Sequence, residues 1–496
     1  MLQHILASAL LVGANATSQD DASRLEAELD AEFGAQFGVP TSRQFLALPE
    51  STREAVDRFF LHGPGAVPRS GVVDSTAATS NASISPGGAH ARARGPVHGD
   101  PIPGYPGLYN MTLGGTGSGY LESFLLQVPD GPPSGPTPLL VVYHKYGVSH
   151  ADALYHTNFV QEARNRGWYL VAPLGALDDN FGSLLAQINT QAVLDWARQW
   201  LPVDRTRIYG VGFSMGGGWC ASYAARHLDP NGSIFAAVVD HTGTVSLGDA
   251  YANEVGNPSI IQELQGLFGG DPTSQPFNYQ RCSTVDIDPI THLVGAGTDM
   301  ARNLPVTRCW MADNDPQPYL PLQTQIFYNH IQPMDRSDVL TIVSGNQHSW
   351  DTLDDTVVCD WLSTYTLHYP LIGNTLADLD GAWYHFQIEQ DAGGAFTPFS
   401  WFADANANRI SFWSTANLHR ISFDAQAVGL HYVGHLRLNM SSADGTGDQV
   451  VFDSVPYAPL SVTRNGVPAN GTYDPLTQTF LVDEVSGSGA QWVIGF

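Results

Sequence analysis

One serine stands where its hydroxyl could become a nucleophile. Ser214 lies in Gly212-Phe213-Ser214-Met215-Gly216, directly after an apolar run over 207–212 and directly before a helix-like stretch over 219–227. A G-x-S-x-G between strand and helix makes a turn so tight that only glycine tolerates the crowding two residues to either side. The hydroxyl then projects from the bend at the positive end of the following helix, and the Met215 N–H is left free to hold a developing oxyanion. A seryl hydroxyl is a weak nucleophile at neutral pH unless a base takes its proton. His348, in Gly345-Asn-Gln-His348-Ser-Trp350, follows the apolar run 339–343 and precedes a helix-like segment over 352–364, so a loop can carry it back over the end of a sheet. Met311-Ala-Asp313-Asn-Asp315-Pro supplies carboxylates at the end of the preceding apolar run. Asp315 is the expected partner of His348, because the turn must leave its strand before a side chain can bend towards the ring. Asp313 is second and Asp240, one strand earlier, third; a carboxylate left unused is a turn former. Serine, acid and histidine in this order perform acyl transfer through an acyl-enzyme, with no metal and no cofactor.

The segments that must position these residues are short Val/Ile/Leu/Tyr runs at 120–128, 138–143, 169–172, 207–212, 234–239, 305–311 and 339–343, with helix-like stretches such as 158–166 and 185–200 between them. Nearly continuous apolar runs are strands buried on both faces, and their alternation with helices over about 250 residues predicts a mostly parallel, doubly wound α/β sheet. Between Val239 and Pro305 the chain inserts some sixty residues, about 242–304, above the end of the sheet where ligands bind; this is expected to be a lid or pocket wall. His241, just past its strand, could line the acyl site or turn the chain, and Trp350 is near enough to His348 to shape the pocket. After about residue 375 helical periodicity gives way to short, turn-spaced alternating segments, which predicts an antiparallel β-sandwich over 375–496.

At 496 residues the chain exceeds what one core organises, so two or three domains are expected. A hydrophobic fraction of 43% excludes a disordered or collagen-like chain. Acidic residues outnumber basic ones 48 to 22, for a net charge of −26, a field that repels phosphates and anionic lipid and argues against nucleic acid as a partner. Residues 1–16, a short apolar run closing on Ala14-Asn-Ala16, read as a secretory signal, so the protein is expected to be secreted or periplasmic; no other run is long enough to span a bilayer. Residues 17–62 read as a helical extension and 63–100 as a flexible linker, ahead of a catalytic domain over 101–370. Four cysteines in an exported chain permit a bridge, Cys282 to Cys309 first. Their spacings do not suit zinc.

Residues 345–350, the 303–306 and 312–315 stretches, and Glu122-Ser-Phe-Leu-Leu-Gln-Val-Pro129 resemble the catalytic domain of α/β-hydrolase esterases, in particular the secreted polyhydroxybutyrate-depolymerase and feruloyl-esterase group and the related prolyl-oligopeptidase-type domains. The resemblance covers roughly residues 105–365. It implies an α/β-hydrolase fold, a Ser214–His348–Asp315 triad, and an ester substrate, of the polyester or plant-wall kind. Such proteins usually carry His-Gly-x after the third strand, where the residue after the glycine donates a second oxyanion N–H. This chain has His144-Lys145-Tyr146-Gly147, so Tyr146 is the implied donor and its ring a wall of the acyl pocket. Lys145, the only lysine in the chain, either lies beside the carbonyl-polarising site or points to solvent. A peptidase of the prolyl-oligopeptidase kind is the alternative, although about 90 residues ahead of the sheet leave no room for a propeller. A non-catalytic binding protein on the same fold is the third reading. Acyl specificity and oligomeric state are not encoded in any motif.

Overall fold

A computed structural model describes residues 97–131, 135–295, 298–337, 339–345, 347–445, 447–485 and 489–496. The signal segment, the helical extension and residues 63–96 of the linker lie outside them. The last residues assigned to that linker are a strand: Val97–Pro101 pairs antiparallel with Leu108–Leu113. Its proline is tolerated because the strand lies at the sheet edge.

Nine strands make the first sheet: β1 (Val97–Pro101), β2 (Leu108–Leu113), β3 (Glu122–Gln127), β4 (Thr137–Tyr143), β5 (Tyr169–Pro173), β6 (Val203–Phe213), β7 (Ala237–His241), β8 (Val306–Ala312) and β9 (Leu340–Val343). Their spatial order is β1-β2-β3-β5-β4-β6-β7-β8-β9. Pairing is antiparallel from β1 to β5 and parallel from β5 through β4 to β9. Every residue of β4 is buried, which is why its sequence from Pro138 onward is continuously apolar rather than alternating.

The helices are α1 (Asp152–Tyr155), α2 (Phe159–Arg166), α3 (Leu184–Trp200), α4 (Met215–Arg226), α5 (Leu247–Asn253), α6 (Pro258–Phe268), α7 (Pro276–Cys282), α8 (Tyr319–Ile331) and α9 (Asp355–Leu362). They divide between the two faces of the sheet. Leu140 and Val142 of β4 face a core with Phe159 and Ala163 of α2 and Val358 and Leu362 of α9. Leu139, Val141 and Tyr143 face the opposite core, with Val193 of α3, Ala221 of α4 and Phe327 of α8. This strand order, with helices on both faces, is the α/β-hydrolase fold. The stretch between β7 and β8 holds α5, α6 and α7.

The C-terminal part is two facing sheets of seven and six strands. Phe386 fills the space between them, edge-on to Phe399, Trp401, Phe412 and Phe423 at centroid distances of 5.3 to 6.0 Å. The sandwich is not wholly antiparallel: Arg409–Thr415 runs parallel to His435–Ser442, and Leu418–Asp424 parallel to Asp448–Asp453. Between Arg409 and Asp453 the chain changes sheet after every strand, so each sheet receives successive passes in the same direction. One apolar core continues from the helical face of the first sheet into the sandwich, and Asn303 spans the junction. Its amide group donates to the carbonyls of Ala225 and Leu376 and accepts from the Thr375 hydroxyl and the Leu376 N–H, at 2.8 to 3.0 Å. Among the described residues no helix is long and apolar enough to cross a membrane.

Candidate active site

The bend between β6 and α4 carries the strain the sequence implies. Ser214 has φ 57° and ψ −124°, a conformation that costs a non-glycine residue of order 1–3 kcal/mol and survives only where the surroundings enforce it. The enforcement is visible on both sides. A Cβ on Gly212 would overlap the Gly216 carbonyl, and one on Gly216 would overlap the carbonyls of Tyr143 and His144 at the end of β4. The Ser214 N–H donates to His241 O at 2.9 Å, tying the bend to β7. Met215 is the first residue of α4 and so has no acceptor within the helix for its N–H.

The Ser214 hydroxyl lies 2.8 Å from His348 Nε2, and His348 Nδ1 lies 2.6 Å from Asp315 Oδ2. The Asp315 side chain is 1% exposed and that of His348 14%, so the acid is shielded while the ring reaches the surface of the site. Asp315 Oδ1 accepts the Gln317 N–H at 2.8 Å, which fixes the carboxylate plane. Asp313, the second-ranked acid, serves the same loop differently: its Oδ1 accepts the Gly345 N–H at 2.9 Å, and the Asn314 N–H donates to Gly345 O at 3.0 Å. Asp240, the third-ranked acid, is turned towards the Gly217 and Gly243 backbone, behind the nucleophile bend. It is fully buried, and desolvation pushes its carboxyl up to about 7.

Beyond His348, a short 3₁₀ turn (Trp350–Thr352) anchors the loop. Trp350 Nε1 donates to Asp152 Oδ2 at 2.6 Å, Trp310 Nε1 donates to Thr352 O at 2.7 Å, and the Thr352 hydroxyl is 2.8 Å from His241 Nε2. His241 is thus not an acyl-site lining residue but a strut. Its ring stacks at 4.5 Å on Phe213, whose ring also lies 4.5 Å from His348. Burial and the neighbouring His348 drive its own pKa down to about 3, so it is a neutral hydrogen-bonding ring. Trp350 is 2% exposed and holds the loop from beneath.

The segment after β4 also departs from the sequence reading. His144 is buried, its Nδ1 2.8 Å from Lys145 O and its Nε2 3.0 Å from Leu174 O; it ties the end of β4 to the end of β5 rather than facing the substrate. Lys145 lies close enough to Asp152 for its charge to act on that carboxylate. Burial would raise the Asp152 carboxyl, but a hydrogen bond from His156, the charge of Lys145 and the bond from Trp350 outweigh it and hold Asp152 below its usual range. The Tyr146 ring packs on Phe181 at 5.3 Å and its hydroxyl donates to Glu263 Oε2 of α6 at 2.5 Å. Sequence reasoning missed Asp152, Trp310 and Glu263, whose partners lie 42 to 198 residues away in the chain. It also missed the apolar wall beside the serine, where Met215 and Phe181 pack with Leu247, Leu264, Phe268, Tyr279 and Cys282 of the insertion. All four cysteines are buried free thiols; Cys282 belongs to this wall and Cys309 to the core under the sheet, so the anticipated bridge is not formed. Among the described residues no three His, Cys, Asp or Glu side chains are grouped to hold a metal ion.

Comparison with protein-family models and with curated proteins finds no match. Solved structures similar to the chain include S-formylglutathione hydrolase from Agrobacterium tumefaciens, at 14% identity over 54% of this chain and 98% of that one, with a TM-score of 0.40. An acetyl xylan esterase from Paenibacillus sp. R4 follows at 16% identity over 54% of this chain and 88% of that one, TM-score 0.38. An acylaminoacyl peptidase from Pyrococcus horikoshii matches at 16% identity over 50% and 40%, TM-score 0.37. At these scores the likenesses do not bear on activity. What the geometry offers is an alcohol, an imidazole and a carboxylate in hydrogen-bonded sequence on a strained bend, beside a first-turn N–H that has no acceptor within its own helix.

Proposed function

We propose that the protein is an exported serine hydrolase of carboxylic esters. Ser214 attacks the ester carbonyl while His348 Nε2 takes its proton, and Asp315 holds the other ring nitrogen as a donor and balances the imidazolium that forms. The C–O bond to the alcohol breaks as His348 returns the proton to the leaving oxygen, which leaves the acyl group on Ser214. Water, deprotonated by the same ring, then releases the acid and restores the serine. The Met215 N–H, at the positive end of α4, and the Tyr146 N–H receive the oxyanion, each worth on the order of 3 kcal/mol of barrier. The reading rests on the two short bonds from Asp315 through His348 to a serine in a left-handed bend. Export is proposed from the apolar run closing at Ala16, and polyesters or plant-wall esters as substrates from the family resemblance. Ser214→Ala should abolish p-nitrophenyl-ester turnover, by about 10⁶ in kcat, together with labelling by a fluorophosphonate. Wild-type activity in that variant would refute the triad, and equally fast turnover of the matching anilide would refute the ester preference.

A further inference from the structure

Asp378 follows directly on the first strand of the sandwich, Ile372–Ala377, yet its carboxylate is spent on the hydrolase domain. One oxygen, Oδ2, accepts from Arg226 Nε and Nη2 at 3.0 and 2.7 Å and from Arg281 Nε at 2.7 Å, with Arg281 Nη2 at 2.6 Å. All three side chains are 6% exposed or less. Buried charges persist only where they are paired and hydrogen-bonded, so the three groups hold one another in place. The two arginines come from two different helices, each of which reaches the candidate site. Arg226 is the last residue of α4, the helix that starts at Met215, and its Nη1 donates to Gln187 Oε1 at 2.5 Å. Gln187 in turn donates to Gly182 O at 2.9 Å, next to Phe181. Arg281 belongs to α7, where the adjoining Cys282 and the nearby Tyr279 form part of the wall packed on Met215. The sandwich grips that helix a second time: Phe277 of α7 has the Arg281 guanidinium 4.9 Å from its ring on one side and the ring of Phe396, from the sandwich, at 5.0 Å.

We propose that Asp378 is a positioning residue for the hydrolase site, through which the β-sandwich fixes the α7 wall against the nucleophile helix and so sets which acyl groups are accepted. The sandwich is then a structural part of the specificity pocket, not only an appended module. The inference rests on the esterase reading above. Its test is Arg281→Met, which frees α7 while leaving the Arg226–Asp378 pair whole, with Phe396→Ala as a milder release of the same helix should the first variant fold poorly. Kinetics are measured on p-nitrophenyl acetate and octanoate, at a temperature where circular dichroism shows each variant fully folded. The expected result is a change of at least fivefold in KM for the octanoyl ester, with kcat for the acetyl ester within twofold of wild type, and recovery of at least half the KM change in Arg281→Lys. An unchanged octanoyl-to-acetyl ratio in both variants, or an equal loss on both esters, overturns the proposal. Fluorophosphonate labelling of wild-type Ser214 separates the two levels: a labelled serine with an unchanged ratio sinks the positioning role alone, and an unlabelled serine sinks the esterase reading and this inference with it.

Discussion

Replacing Asp315 by asparagine tests the orientation of the base more sharply than removing the base itself. The carboxylate has two assigned tasks: Oδ1 accepts the Gln317 N–H at 2.8 Å and Oδ2 faces His348 Nδ1 at 2.6 Å. An asparagine can keep only one oxygen. The Gln317 N–H demands that it stay at the Oδ1 position, so the NH₂ is turned towards His348. A donor there forces Nδ1 to become an acceptor and moves the ring proton to Nε2, the nitrogen 2.8 Å from the Ser214 hydroxyl. The ring can then no longer take the serine proton, and the developing imidazolium has lost its counter-charge. Loss of this kind is worth on the order of 10⁴ in kcat, or about 5.5 kcal/mol. Asp313→Asn removes a charged acceptor from the Gly345 N–H but can keep a neutral oxygen there, a change of roughly 1 kcal/mol and at most about tenfold in rate. Initial rates on p-nitrophenyl acetate, with folded protein quantified by circular dichroism, compare the two. A larger loss for Asp313→Asn than for Asp315→Asn, or a tenth of wild-type kcat remaining in the latter, would refute the assignment of the acid.

The buried Asp240 makes a pH prediction with a definite sign. Its folded value is raised from 3.8 to about 7, so the native state keeps a proton that the unfolded chain gives up. The contribution of this group to stability is therefore full below about pH 4, declines as pH rises towards 7, and is lost above it, by up to roughly 4 kcal/mol in the limit. Asp240→Asn should match wild type in melting temperature near pH 4.5 and exceed it increasingly up to pH 8; parallel pH dependences would show that the group is ionised in the fold. Asn303→Ala should cost about 3 kcal/mol or more in urea unfolding, because four buried partners at the domain junction lose their bonds at once. A loss under 1 kcal/mol would mean that the apolar core alone joins the sandwich to the sheet.

What the sequence reveals of this site is what backbone geometry forces into local spacing. Gly212 and Gly216 are dictated by carbonyls within a few residues or at the end of the neighbouring strand, so the bend is written as a five-residue motif. Asp315 and His348 are legible for a related reason: parallel strands deliver their ends to one edge of the sheet, and residues just past two strand ends can therefore meet although 33 positions separate them. The alternation of apolar runs and helices was sufficient for the doubly wound sheet but not for its first strand, because Val97–Pro101 is a short edge strand whose residues 98–101 are exposed and carry no apolar pattern.

The remaining features depend on partners that no local rule couples. His144, His241 and Trp350 attract notice as polar or aromatic residues near a reactive serine, yet each is held by a distant neighbour: Leu174, Thr352 and Asp152. A tertiary contact turned candidate substrate ligands into struts for the loops that carry the chemistry. Cys282 and Cys309 show the same limit, since proximity in sequence permits a bridge but each thiol is buried in a different core. The wall around Met215 is the extreme case. Leucine, phenylalanine and tyrosine from three insertion helices pack there with no required spacing, and many apolar residues of similar volume would fill the same space. Chemistry that needs one atom at one point leaves a motif, whereas selectivity that needs only a shaped apolar surface does not. For this reason the acyl preference has to be sought in the contacts that hold the wall in place, Arg281 to Asp378 and Phe277 to Phe396, as much as in the residues that line it.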